Sequence, residues 1–244
     1  MKNKSDKKWY QVYNDQMPAY PKTQHLSLSQ RFGDDDIIAS DEELIRLVGQ
    51  DVQIEEKIDG SNVGIFLDED QKDSLILIRN RQHILSKNYQ TKTPAQKQFL
   101  PLWTWAQEHR HSLKVLNDYF QCSVCVYGEW VFALHGIDYD KLPDKFIAFA
   151  VYVPSRKTFY SSYHVGDILS SSGLQTPHVI YRGELQSMDT LVYFTNHPSA
   201  YRSNGFMEGV VIKTNQNIYK IVRGDYQPNE QWNKKELIKQ SSWR

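Results

Sequence analysis

Short apolar runs of the kind that form β-strands recur along this chain, and a single charged side chain lies in or beside four of them. The runs are separated by turn residues and by amphipathic segments of helical period, which predicts an α+β fold. Burying a charge is costly unless it is paired or hydrogen-bonded. The embedded charges are therefore the first candidates for a functional role, and they are Lys57, Glu129, Glu208 and Lys220.

Lys57 lies between an apolar run and an acidic turn that contains Asp59 and Gly60. A lysine amine has an ordinary pKa near ~10.4 and is a poor nucleophile while it is protonated. Burial or neighbouring cations can lower that pKa and make the amine reactive. The pattern Lys-x-Asp-Gly is short, and alone it fits a solvated lysine before an Asp-Gly turn better than a nucleophile. The interpretation of Lys57 therefore depends on the rest of the chain.

The clearest helix signal begins at Ser40. Ser40 and Glu43 form a capping box, an apolar stripe extends to Val48, and Gly49 closes the helix. Residues 162–200 contain turn residues and no chemical signature, and they are expected to form two short helices.

A longer helical region begins at Pro94, after a threonine that can cap it. Pro101 is expected to kink or split this region, because proline cannot donate the backbone hydrogen bond of a helix interior. A following helix carries Tyr119 and Phe120. These aromatic residues are expected to lie in the core and not in a ligand cage.

Residues 124–132 and 146–153 predict two strands, and residues 214–217 predict a hairpin turn between two more. In the strand 146–153, period-two alternation places Phe149 on the same face as Ile147 and Val151. That face could stack on a base, although core packing is the more common role of a phenylalanine in a strand.

Arg79 and Arg81 end the β-type run that begins at Ser74. A guanidinium group presents a planar fork of donors that grips phosphate. Surface charge at a strand end explains the two arginines equally well.

Cys122 and Cys125 have a spacing that occurs in metal and redox sites. The sequence around them resembles a strand, in which residues three apart point to opposite faces. A metal or disulfide role for this pair is therefore not expected.

The chain has 244 residues, of which 29 are basic and 29 acidic, so its formal net charge is zero. A nucleic-acid partner would have to be bound by a local basic groove, because no overall positive field attracts it. No apolar run approaches the ~20 residues that span a bilayer, and the lysine-rich start is not followed by a signal-peptide pattern. The expected localisation is cytoplasmic, with no membrane partner.

Taken in order, these motifs resemble those of the covalent nucleotidyltransferase superfamily of ATP-dependent polynucleotide ligases and capping enzymes, and most of all its RNA ligase 2-type branch. The resemblance runs from about Tyr20 to Arg223, and its specificity comes from the order of motifs that are individually weak. The matching segments are residues 57–60, 127–129, 146–153, 208–213 and 219–222.

The resemblance implies a nucleotidyltransferase domain of antiparallel sheets flanked by helices, with the nucleotide bound between the sheets. Residues 1–19 are then expected to form a polar N-terminal arm and residues 20–226 the domain itself. Residues 227–244 are expected to form a short C-terminal tail without a separate domain.

The same resemblance implies an activity. Lys57 would attack the α-phosphorus of ATP and release pyrophosphate, leaving a lysyl-adenylate. The AMP would pass to a 5′-phosphate end, and a 3′-hydroxyl would displace it to seal the strand. In the family's pattern Lys220 holds the α-phosphate, Glu129 binds the ribose, Phe149 stacks on adenine and Glu56 contacts the adenine amine.

Further site residues follow from the same resemblance. Asn62 matches an asparagine of the RNA ligase branch, and Arg81 matches its phosphate-binding arginine. Asp59, Glu129 and Glu208 are expected to hold hydrated Mg²⁺, or Mn²⁺ in its place, through water. With Lys220, this cation is expected to lower the pKa of the nucleophile.

Two positions depart from the family's pattern, and a third matches it but is expected to face away from the site. Val222 occupies the position of a second lysine, and Arg223 does not replace it because it faces the other side of the strand. Ala150 stands where many relatives carry an aspartate. Lys213 matches the pattern, but its parity relative to Glu208 sets it on the opposite face, so it is not assigned to the site.

The expected function is therefore that of an ATP-dependent RNA ligase acting on nicked or end-paired RNA, including RNA/DNA hybrids. A partner protein could supply part of the substrate binding. A DNA ligase and a GTP-using capping-type enzyme are alternatives that share the site. A non-catalytic nucleotide- or RNA-binding relative is a further alternative, which the valine at position 222 favours.

Overall fold

The computed structural model describes residues 13–70, 75–85, 93–226 and 237–244. These residues form a five-stranded sheet and a six-stranded sheet with short helices around them. One strand pair is parallel and the other pairs are antiparallel. The predicted α+β fold of antiparallel sheets flanked by helices is confirmed, and a cleft lined by residues of both sheets lies between them.

The five-stranded sheet, called sheet A, has the strand order β1-β11-β10-β2-β9. Its strands are β1 (Gln24–His25), β2 (Asp51–Lys57), β9 (Val179–Glu184), β10 (Gly209–Lys213) and β11 (Ile218–Val222). The hairpin between β10 and β11 forms where the sequence predicts it, since the Thr214 amide donates to the Asn217 carbonyl at 2.9 Å. In the adjacent pair, Lys57 at the end of β2 lies opposite Gly209.

The six-stranded sheet, called sheet B, has the strand order β5-β4-β3-β6-β7-β8. Its strands are β3 (Ser61–Asp68), β4 (Leu75–Asn80), β5 (Ile84–Leu85), β6 (Cys125–Trp130), β7 (Phe146–Val153) and β8 (Thr158–Tyr160). Strands β2 and β3 are neighbours in sequence but belong to different sheets. The turn after Lys57 therefore connects the two walls of the cleft.

The helices are α1 (Asp41–Leu47), α2 (Pro94–Lys97), α3 (Leu100–Glu108), α4 (Arg110–Phe120), α5 (Tyr163–Ser171) and α6 (Met188–Thr195). The capping box of α1 is confirmed, with the Ser40 hydroxyl accepting from the Glu43 amide at 3.3 Å and the Glu43 carboxylate accepting from the Ser40 amide at 3.0 Å. The break predicted near Pro101 is also confirmed, since this proline lies in the first turn of α3. No helix in the described ranges is long and apolar enough to cross a membrane.

Two apolar residues of these helices lie outside the core, contrary to expectation. Val48 adopts an extended conformation as the C-cap of α1 and is 40% exposed, so it leaves the apolar stripe. Tyr119 is 62% exposed, while Phe120 beside it is buried. Adjacent helical residues project about 100° apart, and only one of the two can face the sheet.

Each sheet buries its outer face under helices. The outer face of sheet B packs on α3 and α4 in the largest apolar cluster, which includes Leu102, Leu116 and Trp130. The outer face of sheet A packs on α1 and α6 in a second cluster. Because strand side chains alternate between faces, residues of the other parity in β2, β10 and β11 line the cleft, among them Glu55, Lys57, Val211, Lys213 and Lys220.

Strand β9 was not predicted, because the sequence indicates only two helices in residues 162–200. Those helices form as α5 and α6, and β9 lies between them. It is an edge strand with mostly exposed or half-exposed side chains, which pairs with β2 through backbone hydrogen bonds. A strand held mainly by its backbone leaves little apolar pattern in the sequence.

The predicted face of Phe149 is wrong. Tyr127 pairs with Ala150 and Gly128 with Ala148, so Phe149 is an extra residue in β7 and forms a β-bulge. A bulge shifts the alternation by one residue. Phe149 therefore lies on the face opposite Val151, which packs in the helix-covered core.

The two ends of the chain pack against the sheets where they are described. Tyr13 and Met17 are 4% and 0% exposed and join an apolar cluster with Phe66 on sheet B, so this part of the expected polar arm is core. The lysines before it lie outside the described residues. Residues 237–244 pack on the loop between β6 and β7. The domain boundaries themselves stay predictions.

Cys122 and Cys125 do not share a strand, contrary to expectation. β6 begins at Cys125, and Cys122 lies in the turn before it with its sulfur 3.4 Å from the Ser155 hydroxyl. Both are free thiols, and burial raises the pKa of the Cys125 thiol to about 12.

Candidate active site

Lys57 ends β2 and lies at the junction of the two sheets. The chain passes through Ile58, Asp59 and Gly60 and enters β3 at Ser61. A Cβ on Gly60 would lie 2.8 Å from the Trp130 carbonyl oxygen, so glycine lets this turn approach β6 closely. The lysine is therefore held at the base of the cleft by an ordered turn.

Lys57 forms a close ion pair with Glu208. Its ammonium lies 2.6 Å from Glu208 Oε2, and the two side chains are 22% and 7% exposed. Glu208 was predicted to be embedded in a strand, but it immediately precedes β10. Burial lowers the pKa of Lys57, but the carboxylates of Glu208, Glu129 and Asp59 outweigh it and raise that pKa overall. The protein groups alone therefore favour the protonated amine, and the lowering of its pKa by a bound cation stays a prediction.

Glu129 and Glu208 are carboxylates with raised pKa values. Burial is the main cause, and it raises the pKa of Glu129 to about 8 and that of Glu208 to about 6. Asp59 raises both values further, while Lys57 lowers both. The site therefore contains more carboxylate than Lys57 neutralises, which favours binding of an added cation.

This donor set fits the divalent cation implied by the resemblance. Oxygen ligands suit Mg²⁺ and Mn²⁺, and Mg²⁺ commonly keeps several waters. In the described part of the chain, no three His, Cys, Asp or Glu side chains are close enough to hold a metal by themselves. The fit therefore rests on the excess negative charge of Asp59, Glu129 and Glu208, with water and phosphate oxygens completing the ligand set.

Lys220 approaches the same cleft from β11. Its ammonium lies 3.1 Å from Asp36 Oδ1, and both residues line the cleft. Burial and the charge of Lys57 lower the pKa of Lys220, and Asp36 partly compensates. Asp36 was missed in the sequence because it lies in an irregular segment. Its segment forms a bridge between Ile38 and His25, and His25 of β1 pairs with Lys220 of β11, neither of which the local sequence indicates.

Lys213 lines the cleft, so the face that parity assigned to it was wrong, while its exclusion from the ATP-binding residues stays a prediction. Its ammonium is 2.9 Å from Glu55 Oε1, and both side chains are 3% exposed. The same ammonium lies 3.4 Å from the Phe149 carbonyl oxygen on sheet B. The parity count began at Glu208, which lies outside the strand, whereas Lys213 shares its face with Val211 of the cleft wall.

Sheet B supplies an aromatic wall and a polar edge. Phe149 is half-buried and lies beside Tyr20, with ring centroids 5.1 Å apart. Asn62 and Glu129 are direct partners across β3 and β6, and both line the cleft. Flat aromatic and polar groups on one wall suit a base and its sugar.

The two arginines after β4 have different environments. Arg81 is exposed and lines the cleft. Arg79 is 5% exposed, and its guanidinium donates to the Met17 and Asn80 carbonyls. Arg81 is therefore available to a phosphate, and Arg79 holds the N-terminal segment on sheet B.

Glu56 has the opposite strand parity to Lys57. Its carboxylate accepts hydrogen bonds from the Ser199 hydroxyl at 2.5 Å and from the Ala200 amide at 2.8 Å. The residue also lines the cleft. Its contact with the adenine amine stays a prediction.

The cleft has a volume of about 670 Å³ and contains most of the predicted site. It brings together Glu56, Lys57, Asn62, Arg81, Glu129, Phe149 and Lys220. Asp59 and Glu208 join them through their charge interactions with Lys57. This is enough room for a nucleotide in contact with both sheets.

A family profile described as RNA ligase matches residues 50–232, about three quarters of the sequence. The chain belongs to the RNA ligase family. The matched range contains the lysine at the sheet junction and the second lysine on β11. No curated protein matches the chain.

Solved structures of a Naegleria gruberi RNA ligase share the fold of this family member. A variant with ATP and Mn superposes with a TM-score of 0.58 at 16% identity, over 76% of this chain and 53% of that one. A variant with AMP and Mn gives 0.57 at 18% identity and the same coverage. Another with ATP and Mn gives 0.57 at 17% identity, over 86% and 61%. This chain thus spans less than two thirds of the length of these ligases.

Proposed function

We propose that this RNA ligase family member joins 3′-hydroxyl and 5′-phosphate RNA ends with ATP, through a lysyl-AMP on Lys57 and an adenylated 5′ end. The observation that carries the proposal is the position of Lys57. This half-buried lysine ends a strand at the junction of two sheets, within reach of carboxylates and opposite an aromatic wall. The Naegleria ligases of the same fold were solved with ATP or AMP and Mn.

In the first step, the Lys57 nitrogen forms a bond to the α-phosphorus of ATP. The bond between that phosphorus and the oxygen bridging to the β-phosphate breaks, and pyrophosphate leaves. The amine must first lose a proton, which Glu208 Oε2 is positioned to accept at 2.6 Å. Lys220 would contact the α-phosphate in exchange for Asp36 and stabilise the charge that develops on its oxygens.

The remaining contacts assign the base, the ribose and a phosphate of ATP to residues that line the cleft. Phe149 would stack on adenine, with Tyr20 supporting its ring. Glu129 and Asn62 would contact the ribose side, and Arg81 would bind a phosphate. These contacts would hold the α-phosphorus in line with the amine, which is the main contribution of positioning to catalysis.

Asp59, Glu129 and Glu208 would hold a divalent cation, Mg²⁺ or Mn²⁺, through water. When bound, this cation supplies positive charge that lowers the pKa of the nearby amine and stabilises phosphate oxygens. The carboxylates contribute the negative charge that attracts it, and the raised pKa values of Glu129 and Glu208 should fall towards the ordinary range when it binds.

In the later steps, an oxygen of the 5′-phosphate end bonds to the phosphorus of the lysyl-AMP, and the Lys57 nitrogen–phosphorus bond breaks, which leaves AMP joined to that end through a phosphoanhydride. A 3′-hydroxyl oxygen then bonds to the phosphorus of that end and AMP leaves. The family supports RNA as the substrate. The proposal includes nicks in RNA duplexes and in RNA/DNA hybrids as substrates. It also includes a partner protein that helps to bind the substrate.

A sealing assay tests this function. The protein is incubated with ATP, Mg²⁺ and nicked duplexes whose strands at the nick are RNA or DNA, and parallel reactions contain GTP. The account predicts sealing with ATP at RNA 3′-hydroxyl ends. Preferential sealing of all-DNA nicks would make it a DNA ligase, and activity with GTP alone would favour the capping-type alternative. ATP binding without any covalent product would show a non-catalytic relative.

A further inference from the structure

The segment formed by residues 237–244 packs along the loop between β6 and β7. The Leu134 amide donates to the Ile238 carbonyl at 2.8 Å, and the Gln240 amide donates to the Phe132 carbonyl at 3.1 Å. Further along, the Ser242 amide donates to the Tyr139 carbonyl at 2.9 Å. The segment is thus hydrogen-bonded to the beginning and the middle of this loop.

Gln240 is the centre of this contact and is 0% exposed. Its Oε1 accepts from the Tyr139 amide at 2.8 Å. Its Nε2 donates to the carbonyls of Ala133 and Ile137, both at 3.1 Å. One buried amide therefore ties three points of the loop together, and a hydrogen-bonded side chain in this position is costly to replace.

The same loop holds the turn that follows Lys57. Asp59 Oδ2 accepts from the amides of Gly136 at 2.6 Å and Ile137 at 2.9 Å. The Asp59 amide donates in return to the Tyr139 hydroxyl at 2.9 Å. Ile58 packs with Ile137 and Tyr139 in one apolar cluster, to which Trp243 of the C-terminal segment is added.

We propose that Gln240 is a positioning residue for Lys57 in the adenylation step. Gln240 fixes the loop at Ile137 and Tyr139, and these two residues fix Asp59 and hence the end of β2. The loss of its hydrogen bonds should displace the amine from its line of attack while the nucleotide-binding walls stay in place. Small displacements of a reacting group slow the reaction far more than they weaken binding. This inference rests on the proposed function.

The test compares Gln240→Leu with Arg244→Leu in the full chain. Gln240→Leu keeps the side-chain size and removes all three hydrogen bonds of the amide. Arg244 belongs to the same segment, but its guanidinium pairs with Asp138 at the surface and is 49% exposed. We expect single-turnover adenylation by Gln240→Leu to fall by about tenfold or more. The ATP concentration at half-saturation should change by less than about threefold, and Arg244→Leu should stay within about twofold on both counts.

Two further measurements keep the inference testable if Gln240→Leu folds poorly. Tyr139→Phe removes the hydroxyl that accepts from the Asp59 amide and leaves the ring in the core, so the same loss of rate at unchanged ATP affinity is expected. Hydrogen exchange of the Gly136 and Ile137 amides should be faster in Gln240→Leu than in the wild type.

The outcomes separate this inference from the proposed function. A slower rate in Gln240→Leu and Tyr139→Phe, with ATP affinity kept, supports the positioning role, and a wild-type rate in either variant overturns it. A wild-type protein that forms no adduct contradicts the proposed function instead. In that case the positioning role is overturned with it, and the exchange rates show separately whether Gln240 holds the loop.

Discussion

The two walls of the cleft have the same strand geometry but different chemistry. Sheet A presents ionisable side chains to the cleft, including Glu55, Lys57, Lys213 and Lys220. Sheet B presents aromatic and polar side chains, with Phe149 as the main ring. The outer faces of both sheets are apolar and covered by helices. Under the proposed function, sheet A would contact the α-phosphate through Lys57 and Lys220, and sheet B would contact the base and the ribose through Phe149 and Glu129, with Glu56 and Arg81 as the exceptions.

The charged wall depends on pairing, because isolated buried charges are unstable. Lys57 pairs with Glu208, Lys213 with Glu55 and Lys220 with Asp36. Lys57 and Lys220 are assigned to ATP. Glu208 and Asp36 must therefore release these lysines when a phosphate or a cation binds. The pair of Lys213 and Glu55 is the most buried of the three, and it is expected to be structural.

The largest predicted effect concerns this structural pair. Glu55→Ala leaves the Lys213 ammonium buried without its carboxylate, and we expect it to lower the free energy of unfolding by about 3–5 kcal/mol. Urea unfolding measures the loss. Adding Lys213→Met to Glu55→Ala should recover much of it, whereas Lys114→Ala, which breaks an exposed pair with Glu69, should leave the free energy of unfolding almost unchanged. A small loss in Glu55→Ala would contradict the structural role.

The next effect tests the reactive part of the charged wall. Lys220→Ala should slow adenylation by about 10²–10³-fold, because it removes a cation aimed at the α-phosphate where charge develops. Rapid-quench measurement of labelled AMP on the protein gives this rate. Lys220→Arg keeps the charge and should retain more activity. If Lys220→Ala reacted within a few-fold of the wild type, Lys220 would not belong to the phosphate site.

A smaller effect is expected on the aromatic wall. Phe149→Ala should weaken ATP binding by about tenfold, within the ~1–3 kcal/mol of stacking between a base and an aromatic ring. Phe149→Tyr should bind ATP like the wild type, since the ring is kept. Calorimetry with ATP gives both affinities. If Phe149→Ala bound ATP as tightly as the wild type, the base would not stack on this wall.

The smallest effect is a pH dependence that originates in sheet B. The pKa of Glu129 is raised from 4.5 to about 8 by burial, so between these values the folded protein holds a proton that the unfolded chain has lost. The contribution of Glu129 to stability therefore falls as pH rises through this window. Glu129→Gln should flatten the decline in the free energy of unfolding between pH 5 and about 8. An unchanged slope would show that Glu129 titrates in its ordinary range.

The reactive residues are easier to predict from the sequence than their surroundings are. A charge inside an apolar run must have a partner, which is why the amino-acid pattern alone identifies Lys57, Glu129 and Lys220 as candidates. It does not identify Asp36, because this residue belongs to an irregular segment that is held beside Lys220 by a bridge from Ile38 to His25 and by the pairing of His25 with Lys220. The sequence does not identify Gln240 either, because the hydrogen-bond partners of its side chain are backbone groups.

Face assignments were the less reliable part of the prediction. Phe149 reaches the cleft through a bulge, and simple alternation assigned it to the face of Val151. Lys213 was excluded because the count of alternating positions started at Glu208, one residue before the strand. In both cases an error of one residue reverses the face, since side chains in a strand alternate with a period of two.

The central claim, that Lys57 accepts AMP, is tested most directly by the mass of the intact protein after incubation with ATP and Mg²⁺. The account predicts that the wild type gains the mass of one AMP, that peptide mapping locates it on Lys57, and that Lys57→Ala gains none although it still binds ATP. AMP on any other residue, or a wild type that binds ATP and gains no mass, would contradict the account.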